Sequence, residues 1–315
     1  MHFISAEMIH SSLEWEGAIN AIHSAHLGAR HSGDGFFLGD AAYGLLSRAV
    51  ILPGRGAGLK IASICPANAQ ARPPRAVEDA AFVVINEETK ALSAVLDGPA
   101  ITRWKTAADS VAAARILSRE DSATLLVLGA GPVATALVDA YLHIRPAIRT
   151  VLLWNRTADK LIPTRAALKA KGIEAEIVQD LNAAVAGADI ITAATSSASP
   201  LILGEYVKPG THIDLLGGYR PDMQEADVAA VAKARLFVDD RTNAAMSGDI
   251  CIPLQQGAIT ERHIEADLYE LCQSTTFSRQ KQDITLYKNA GGAHLDLMVS
   301  LLVIERINAS TEAQA

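Results

Sequence analysis

The segment from 124 to 134 constrains the fold of this chain more than any other. It combines an apolar strand, TLLVLG, with a glycine-rich turn and the start of a helix. In such a segment the first glycine permits a tight turn, the second lets the backbone approach a pyrophosphate, and the phosphates meet the helix N-terminus. We therefore predict a dinucleotide-binding βαβ unit, with an ordinary strand-to-helix turn as the alternative. The predicted cofactor-binding residues of this turn are Gly129, Ala130, Gly131, Pro132, Val133 and Ala134.

The chain after residue 120 continues as alternating strands and helices. Its continuous apolar runs are typical of strands buried on both faces of a parallel sheet. Helical stretches between them indicate a doubly wound α/β domain. The predicted strands are 124–129, 150–154, 175–178, 188–194, 212–217 and 235–239. These six strands predict a Rossmann domain over residues 121–289.

The remaining residues, 1–120 and 290–315, predict a smaller α+β domain into which the Rossmann domain is inserted. Ser11 and Glu14 have the spacing of a capping box before an amphipathic helix that ends near Gly28. Residues 33–39 then interrupt the pattern. A helix is predicted over 106–118, and a strand, ITLYK, precedes a final amphipathic helix. Strand-length segments that predict a small mixed sheet occupy 45–52, 58–65, 80–86 and 91–98.

Composition excludes several classes of protein. Twenty-eight Lys and Arg against 35 Asp and Glu give a net charge of −7 over 315 residues, without the basic surface that nucleic acid or an anionic membrane requires. Cys65, Cys251 and Cys272 lie far apart, so neither a disulfide framework nor a metal site is expected. The N-terminus has no leader pattern, and no apolar run is long enough to cross a membrane. We expect a cytoplasmic protein that acts on a small molecule.

The residues that follow the second Rossmann strand indicate which dinucleotide binds. An NAD-preferring domain places Asp or Glu there, against the ribose hydroxyls, but this chain has Asn155, Arg156 and Thr157. Arg156 offers planar donors to a 2′-phosphate, and its neighbours can hydrogen-bond the same group. The sequence therefore favours NADP(H), with NAD(H) possible. The alternative is that Arg156 is a solvated residue at a helix start.

Basic residues in the first domain are candidate anion ligands. Lys60 lies in an alternating strand, where a buried lysine needs a partner such as a substrate carboxylate; the alternative is an edge-strand lysine in water. Lys105 and Thr106 lie near the start of the alanine-rich helix, where an anion could bind. Arg48 is a further candidate substrate ligand. His294, after a glycine pair, could face a cofactor or begin a helix.

Eight segments, taken in order, resemble the ornithine cyclodeaminase/mu-crystallin family. The resemblance covers nearly the whole chain and implies a homodimer in which the N-terminal segment and the C-terminal helix form a substrate and dimerisation domain around a Rossmann domain. The segments are GLKIASICPAN, LDGPAITRWKTAADS, VLGAGPVA, LLWNRTADK, ITAATSS, GTHIDLLGGYRPDMQEAD, SGDICIPL and ITLYKNAGGAHLDL.

The resemblance also implies roles for individual residues. Lys60 and Lys105 would hold a substrate carboxylate against the nicotinamide, and the family often has Arg at the position of Lys105. Thr106, Thr195 and Tyr219 would line the nicotinamide pocket. Tyr219 stands where cyclodeaminases carry an Asp for proton transfer, which disfavours deamination of ornithine.

The remaining pattern is similar to that of ketimine reductases, including Δ1-pyrroline-2-carboxylate reductases. We therefore expect NADPH-dependent reduction of a cyclic imino acid, Δ1-pyrroline-2-carboxylate or Δ1-piperideine-2-carboxylate, to L-proline or L-pipecolate, with Lys60, Lys105 and Tyr219 as the catalytic set. The alternatives are ornithine cyclodeamination, reductive amination of an open-chain keto acid as in the related alanine dehydrogenases, and a crystallin-like NADP-dependent binding protein without turnover.

Overall fold

The computed structural model describes residues 1–40, 42–73, 75–218, 220–274 and 276–313. The chain divides into two compact units, Met1–Thr106 with Gly292–Ala315, and Ala107–Gly291. The division falls inside one helix, α3 (Gly98–Leu117), whereas the sequence placed it after that helix, at 120/121. The helix also begins earlier than predicted, because the carboxylate of Asp97 accepts the N–H of Ala100 at 2.8 Å and so satisfies a first-turn donor.

The first unit contains a six-stranded mixed sheet with the strand order β1-β6-β5-β4-β3-β2. Strands β1 and β6 pair in parallel, and all other neighbours are antiparallel. The strands are β1 (His2–Ile4), β2 (Ser32–Gly39), β3 (Gly44–Leu52), β4 (Gly56–Ile64), β5 (Glu78–Ile85) and β6 (Leu92–Asp97). The helices are α1 (Ala6–Ser12), α2 (Trp15–His26) and α11 (Ala293–Glu312), with a 3₁₀ turn at Pro66–Gln70.

The two faces of this sheet differ. Helix α11 packs on β3, β4 and β5, and on α2. Side chains that alternate along the strands toward this helical layer are buried, namely Val50, Lys60, Ala62, Phe82 and Val84. The opposite face exposes large apolar side chains at Phe36, Leu38, Ile51 and Ile61. An apolar surface of this kind marks an interaction site.

Two predictions for this unit were wrong. Residues 33–39, interpreted as an interruption, belong to β2, which pairs with β3 through eight registered positions. Glycine is disfavoured in strands, which is why the sequence pattern did not predict β2. At position 35, however, the strand pairing requires glycine, because a Cβ there would lie 2.4 Å from the carbonyl oxygen of Ser47. The capping box at Ser11 was also wrong, since Ser11 lies inside α1 and Glu14 caps α2 by accepting the N–H of Gly17 at 3.0 Å.

The second unit is a parallel sheet with helices, as predicted for a Rossmann fold. Eight strands, rather than six, lie in the order β13-β12-β14-β11-β10-β7-β8-β9. All six predicted strands occur close to their expected bounds, ITLYK is β14 between β11 and β12, and β13 was not predicted. The strands are β7 (Thr124–Leu128), β8 (Thr150–Trp154), β9 (Ala175–Ile177), β10 (Ile190–Ala193), β11 (His212–Leu215), β12 (Arg235–Val238), β13 (Ile264–Asp267) and β14 (Thr285–Lys288).

The central strands are fully buried on both sides, which explains their uninterrupted apolar sequences. The chain order reverses between β7 and β10, and in open α/β sheets ligands bind beyond the carboxyl ends of strands at such a reversal. The helices of this unit are α4 (Pro132–Ile144), α5 (Ile162–Ala170), α6 (Leu181–Gly187), α7 (Val228–Lys233), α8 (Arg241–Ala245), α9 (Gly248–Gln255) and α10 (Leu268–Gln273), with 3₁₀ turns at Ala158–Leu161 and Glu261–His263.

Among the described residues, none of the helices combines the length and apolar character needed to cross a membrane.

Candidate functional site

A cavity of about 410 Å³ lies in the second unit, beyond the carboxyl ends of β7, β8 and β10. This is the position at which the strand order reverses. Seven of the predicted cofactor residues line it. The lining residues are Gly129, Ala130, Gly131, Trp154, Asn155, Arg156, Thr157, Lys160, Ala194, Thr195, Ser196, Ser197 and Leu201.

The glycine turn supplies one wall of the cavity. Gly129 has a φ of +119°, in the region that favours glycine, and a Cβ there would lie 2.5 Å from the carbonyl oxygen of Ala194. Its N–H donates to the carbonyl of Trp154 at 2.9 Å, which fixes the turn against β8. Gly131 is the N-cap of α4, and a Cβ there would have no heavy atom within 4 Å. The N-terminus of α4 is therefore open to an anionic group.

The segment after β8 places cations at the other side of the cavity. Arg156 and Lys160 both line it, and both are exposed. The side chain of Asn155 donates to the carbonyl of Thr157 at 2.8 Å and holds this turn together. None of the described lining residues is acidic. The cavity thus combines an open helix N-terminus with two cations, a combination that suits the phosphate groups of a dinucleotide.

A buried carboxylate joins two loops at this edge of the sheet. Glu225 is fully buried, and one of its oxygens accepts hydrogen bonds from the N–H and the hydroxyl of Thr195. Its second oxygen accepts the N–H of Gly217 at 2.6 Å. Burial and the neighbouring Asp249 raise the pKa of Glu225 to about 8, against the opposing effects of Lys288 and of the hydrogen bonds from Thr195.

Lys288 and Asp249 complete this buried network. The ammonium of Lys288 donates to Asp249 at 3.0 Å and to the carbonyl of Gly217. Asp249 in turn accepts the N–H groups of Glu225 and Ala226 at 2.7 and 3.2 Å. Because Asp249 meets Lys288 and two N–H donors, and Glu225 accepts from three donors, the network ties Gly217 and Thr195 to this buried cluster.

The predicted substrate cations come together in the first unit. Lys60 on β4 and Lys105 on α3 are both buried, at 7% and 6% exposure. Their ammonium nitrogens lie 3.6 and 3.9 Å from the two carboxylate oxygens of Asp296 on α11. Lys60 is therefore not an edge-strand lysine in water, because β4 lies between β3 and β5.

Neighbouring groups fix Lys60 in this position. Its ammonium donates to the hydroxyl of Thr102 at 2.7 Å. Arg48 on β3 is directly opposite Lys60 in the antiparallel register and is half-buried, so the two cationic side chains share one face of the sheet. A nearby anion reduces the repulsion between like charges, and Asp296 is such an anion for Lys60 and Lys105.

Three histidines lie in the same unit. The rings of His31 and His294 stack with their centroids 3.8 Å apart, and His26 meets His294 edge-on at 5.8 Å. Burial and, after it, the neighbouring His31, His26, Lys105 and Arg48 lower the pKa of His294 well below 6.5. The imidazole of His294 is therefore neutral at physiological pH, and it adds no further positive charge.

Some predicted residues lie away from the cavity. Pro132, Val133 and Ala134 belong to α4 but are not among the described residues that line it. Thr106 and His294 belong to the first unit. Tyr219 lies outside the described residues. Within those residues, no group of three or more His, Cys, Asp or Glu side chains could hold a metal ion.

Sequence reasoning missed Lys160, Glu225 and Asp296. The signal for Asp296 was available, since it is a lone acidic residue in the apolar first turns of α11. Nothing local identifies Glu225 or Lys160, whose roles depend on segments that only the folded chain brings together.

Comparison with known proteins agrees with this architecture. The model of the ornithine cyclodeaminase/mu-crystallin family matches residues 52–311. The chain belongs to this family. A relative in Paracoccus denitrificans, a Δ1-pyrroline-2-carboxylate reductase, is 41% identical over 91% of each chain.

Solved structures share the fold along nearly the whole length of the chain. The Δ1-pyrroline-2-carboxylate reductase of Thermococcus litoralis, in complex with NADH and L-proline, superposes with a TM-score of 0.92 at 26% identity, covering 99% of this chain and 98% of that one. An archaeal alanine dehydrogenase dimer with bound NAD gives a TM-score of 0.89 at 25% identity, covering 98% and 96%.

Proposed function

We propose that this protein is a nicotinamide-dependent reductase of cyclic ketimine carboxylates, an oxidoreductase that acts on a C=N bond. The observation that carries the proposal is the buried arrangement of Lys60 and Lys105 around Asp296, with Arg48 beside Lys60. Two buried ammonium groups face one carboxylate in this cluster, and a substrate carboxylate would bring a second negative charge to them.

The relatives support this substrate class. The Paracoccus denitrificans relative is named for reduction of Δ1-pyrroline-2-carboxylate, and the Thermococcus litoralis enzyme holds L-proline together with NADH. The five-membered imino acid, giving L-proline, is the first substrate that we assign to this chain. Δ1-Piperideine-2-carboxylate, giving L-pipecolate, is the second.

The cavity beside Gly129 and Gly131 is the site that we assign to the dinucleotide. Bound there, a dihydronicotinamide supplies the hydride that adds to the imine carbon. The residues of this chain position the reactants: the N-terminus of α4 takes the pyrophosphate, and Glu225 holds the loops around Thr195 and Gly217. In the first unit, Lys60 and Lys105 hold the carboxylate.

We assign NADP(H) as the preferred cofactor. Arg156 and Lys160 line the cavity where a 2′-phosphate would lie, and no acidic side chain is present among the described lining residues to repel it. The Thermococcus litoralis and archaeal relatives hold NADH and NAD, so the preference is a property to be measured on this chain.

A substrate screen tests the proposal. Oxidation of NADPH and of NADH is followed with Δ1-pyrroline-2-carboxylate, Δ1-piperideine-2-carboxylate, and pyruvate with ammonia, and release of ammonia from ornithine is followed separately. The proposal expects the two ring imines to be reduced far faster than the keto acid, and no ammonia from ornithine. Turnover of ornithine, or no reduction of either ring imine, would contradict it.

A further inference from the structure

One oxygen of Asp296 is buried without a hydrogen bond, although it forms an ion pair with Lys60. Asp296 is 2% exposed, and its Oδ1 atom forms no hydrogen bond with any residue that the structure describes. The nearest cation, the ammonium of Lys60, lies at 3.6 Å, beyond the normal length of an N–H···O bond. A buried carboxylate oxygen without a donor is costly, so a donor from a ligand would relieve that cost.

The surroundings of Asp296 are electropositive. It lies in the first turn of the 20-residue helix α11, where the partial positive charge of the helix stabilises an anion. Lys60 and Lys105 flank it on different elements, β4 and α3. The cluster of Lys60, Lys105 and Asp296 therefore presents cationic donors and one anionic acceptor within a few ångströms of each other.

We propose that Asp296 is a catalytic residue that accepts a hydrogen bond from the protonated imine nitrogen of the substrate. This inference rests on the proposed function. A cyclic imino acid carries its carboxylate and its N–H on the same carbon atom. Lys60 and Lys105 would take the carboxylate, and the Oδ1 of Asp296, which forms no hydrogen bond, would take the N–H.

The contact has a chemical consequence. A protonated C=N bond is a better hydride acceptor than a neutral one, and a nearby carboxylate favours the protonated form. When hydride adds to the carbon, the electron pair of the C=N bond moves onto nitrogen, which keeps its proton. The carbon is reduced, the nicotinamide is oxidised, and no separate acid is required.

The contact also predicts specificity. Ligands with a carboxylate but no N–H on the neighbouring ring position leave Oδ1 without a donor. Such ligands should bind weakly even when their size and charge are the same. Open-chain keto acids belong to this disfavoured class.

A matched pair of ligands tests the proposal on the wild-type protein. Pyrrole-2-carboxylate and furan-2-carboxylate are planar rings of equal size that differ in one atom, an N–H in the first and an oxygen in the second. Each compound is tested as a competitive inhibitor of the reduction of Δ1-pyrroline-2-carboxylate, and its inhibition constant is measured at saturating NADPH. We expect pyrrole-2-carboxylate to bind at least about tenfold more tightly, as for a hydrogen bond to a charged group.

The variant Asp296→Asn extends the test. Its preference for the pyrrole should fall below about threefold, while furan-2-carboxylate should bind at least as tightly as to the wild type, because the lysines lose their counter-charge. Loss of packing alone would weaken both ligands together. Glu305→Gln, which changes an exposed carboxylate on the same helix, is the control and should keep the wild-type preference.

The outcomes separate the two proposals. Equal binding of both rings to an active wild-type enzyme would overturn the role of Asp296 and leave the reductase proposal standing. An unchanged preference in Asp296→Asn would also overturn it. Binding of neither ring, with no reduction of the imine, would overturn the proposed function and this inference with it. If Asp296→Asn does not fold, the wild-type comparison still decides.

Discussion

Glu225 accepts hydrogen bonds from both the backbone N–H and the hydroxyl of Thr195, each at 2.7 Å. Its other oxygen holds the N–H of Gly217, so one buried side chain fixes the loops that follow β10 and β11. The hydroxyl of Thr195 also accepts the N–H of Ser197 at 3.3 Å. Thr195 therefore acts in the cavity mainly by shaping it.

This arrangement predicts that Glu225→Gln weakens cofactor binding. Above about pH 8, where Glu225 is ionised, both of its oxygens accept hydrogen bonds, whereas an amide has one acceptor oxygen and an NH₂ group that would face a backbone N–H. At that pH a buried donor is left unpaired in the variant, at a cost of about 1 to 3 kcal/mol. We expect the Kd for NADPH, measured by fluorescence titration, to rise by about fivefold or more. Glu205→Gln, an exposed residue of the same unit, should leave it unchanged. An unaltered Kd in Glu225→Gln would contradict the role assigned to Glu225.

The same residue predicts a pH dependence of stability. In the folded protein the pKa of Glu225 is raised from 4.5 to about 8, so over this interval the folded state binds a proton that the unfolded state has lost. The free energy of unfolding must then fall as the pH rises from about 4.5 to about 8. Denaturant titrations of wild type and Glu225→Gln across this range measure the effect. The stability of the wild type should decline relative to the variant, and parallel curves would refute the assignment.

The proposed preference for NADP(H) predicts an effect of Arg156. If Arg156 binds the 2′-phosphate, Arg156→Ala removes a charged hydrogen bond, a loss of roughly 1.5 to 3 kcal/mol. We expect the KM for NADPH to rise about tenfold or more while that for NADH changes little. Arg165→Ala, an exposed arginine on α5 that does not line the cavity, is the matched control. If the wild-type enzyme prefers NADH, Arg156 is a solvated residue at a helix start and does not bind a 2′-phosphate.

The outward face of the first unit's sheet predicts a homodimer. Phe36 and Ile51 on this face are more than half exposed in the single chain, at 53% and 57%. Light scattering at micromolar concentration should give twice the mass of the chain. Replacing both residues by Glu should reduce that mass toward the monomer, whereas Ile162→Glu, at an equally exposed apolar residue of the second unit, should not. A monomeric wild type would reject the prediction.

The Rossmann strands were predictable because burial on both faces makes each of them a continuous apolar run, as in Leu125–Leu128. Strand β14 has the same composition, but its place between β11 and β12 depends on a crossover that no local pattern encodes. Strand β2 was missed for a different reason. Its eight residues are all exposed and rich in glycine, so pairing with β3, and not sequence preference, makes it a strand.

The candidate site was predictable in part. Lys60 and Lys105 stood out because charged residues are rare in buried segments, and the glycine turn has a well-known spacing. Their common partner, Asp296, lies 191 positions after Lys105 and 236 after Lys60, and it reaches them only through the packing of α11 on the sheet. The same holds for Glu225, which contacts Thr195 across 30 positions.

The variant Lys60→Ala tests whether Lys60 binds the carboxylate of the substrate. Loss of the ammonium removes one charged contact to the substrate carboxylate, which contributes about 1.5 to 3 kcal/mol. We measure kcat/KM for Δ1-pyrroline-2-carboxylate and, separately, the Kd for NADPH, with Lys90→Ala as the control for an exposed lysine of the same unit. The predicted result is a fall in kcat/KM of at least about tenfold with an unchanged Kd for NADPH. A Lys60→Ala enzyme that reduces the imine at close to the wild-type rate would show that Lys60 does not hold the substrate carboxylate.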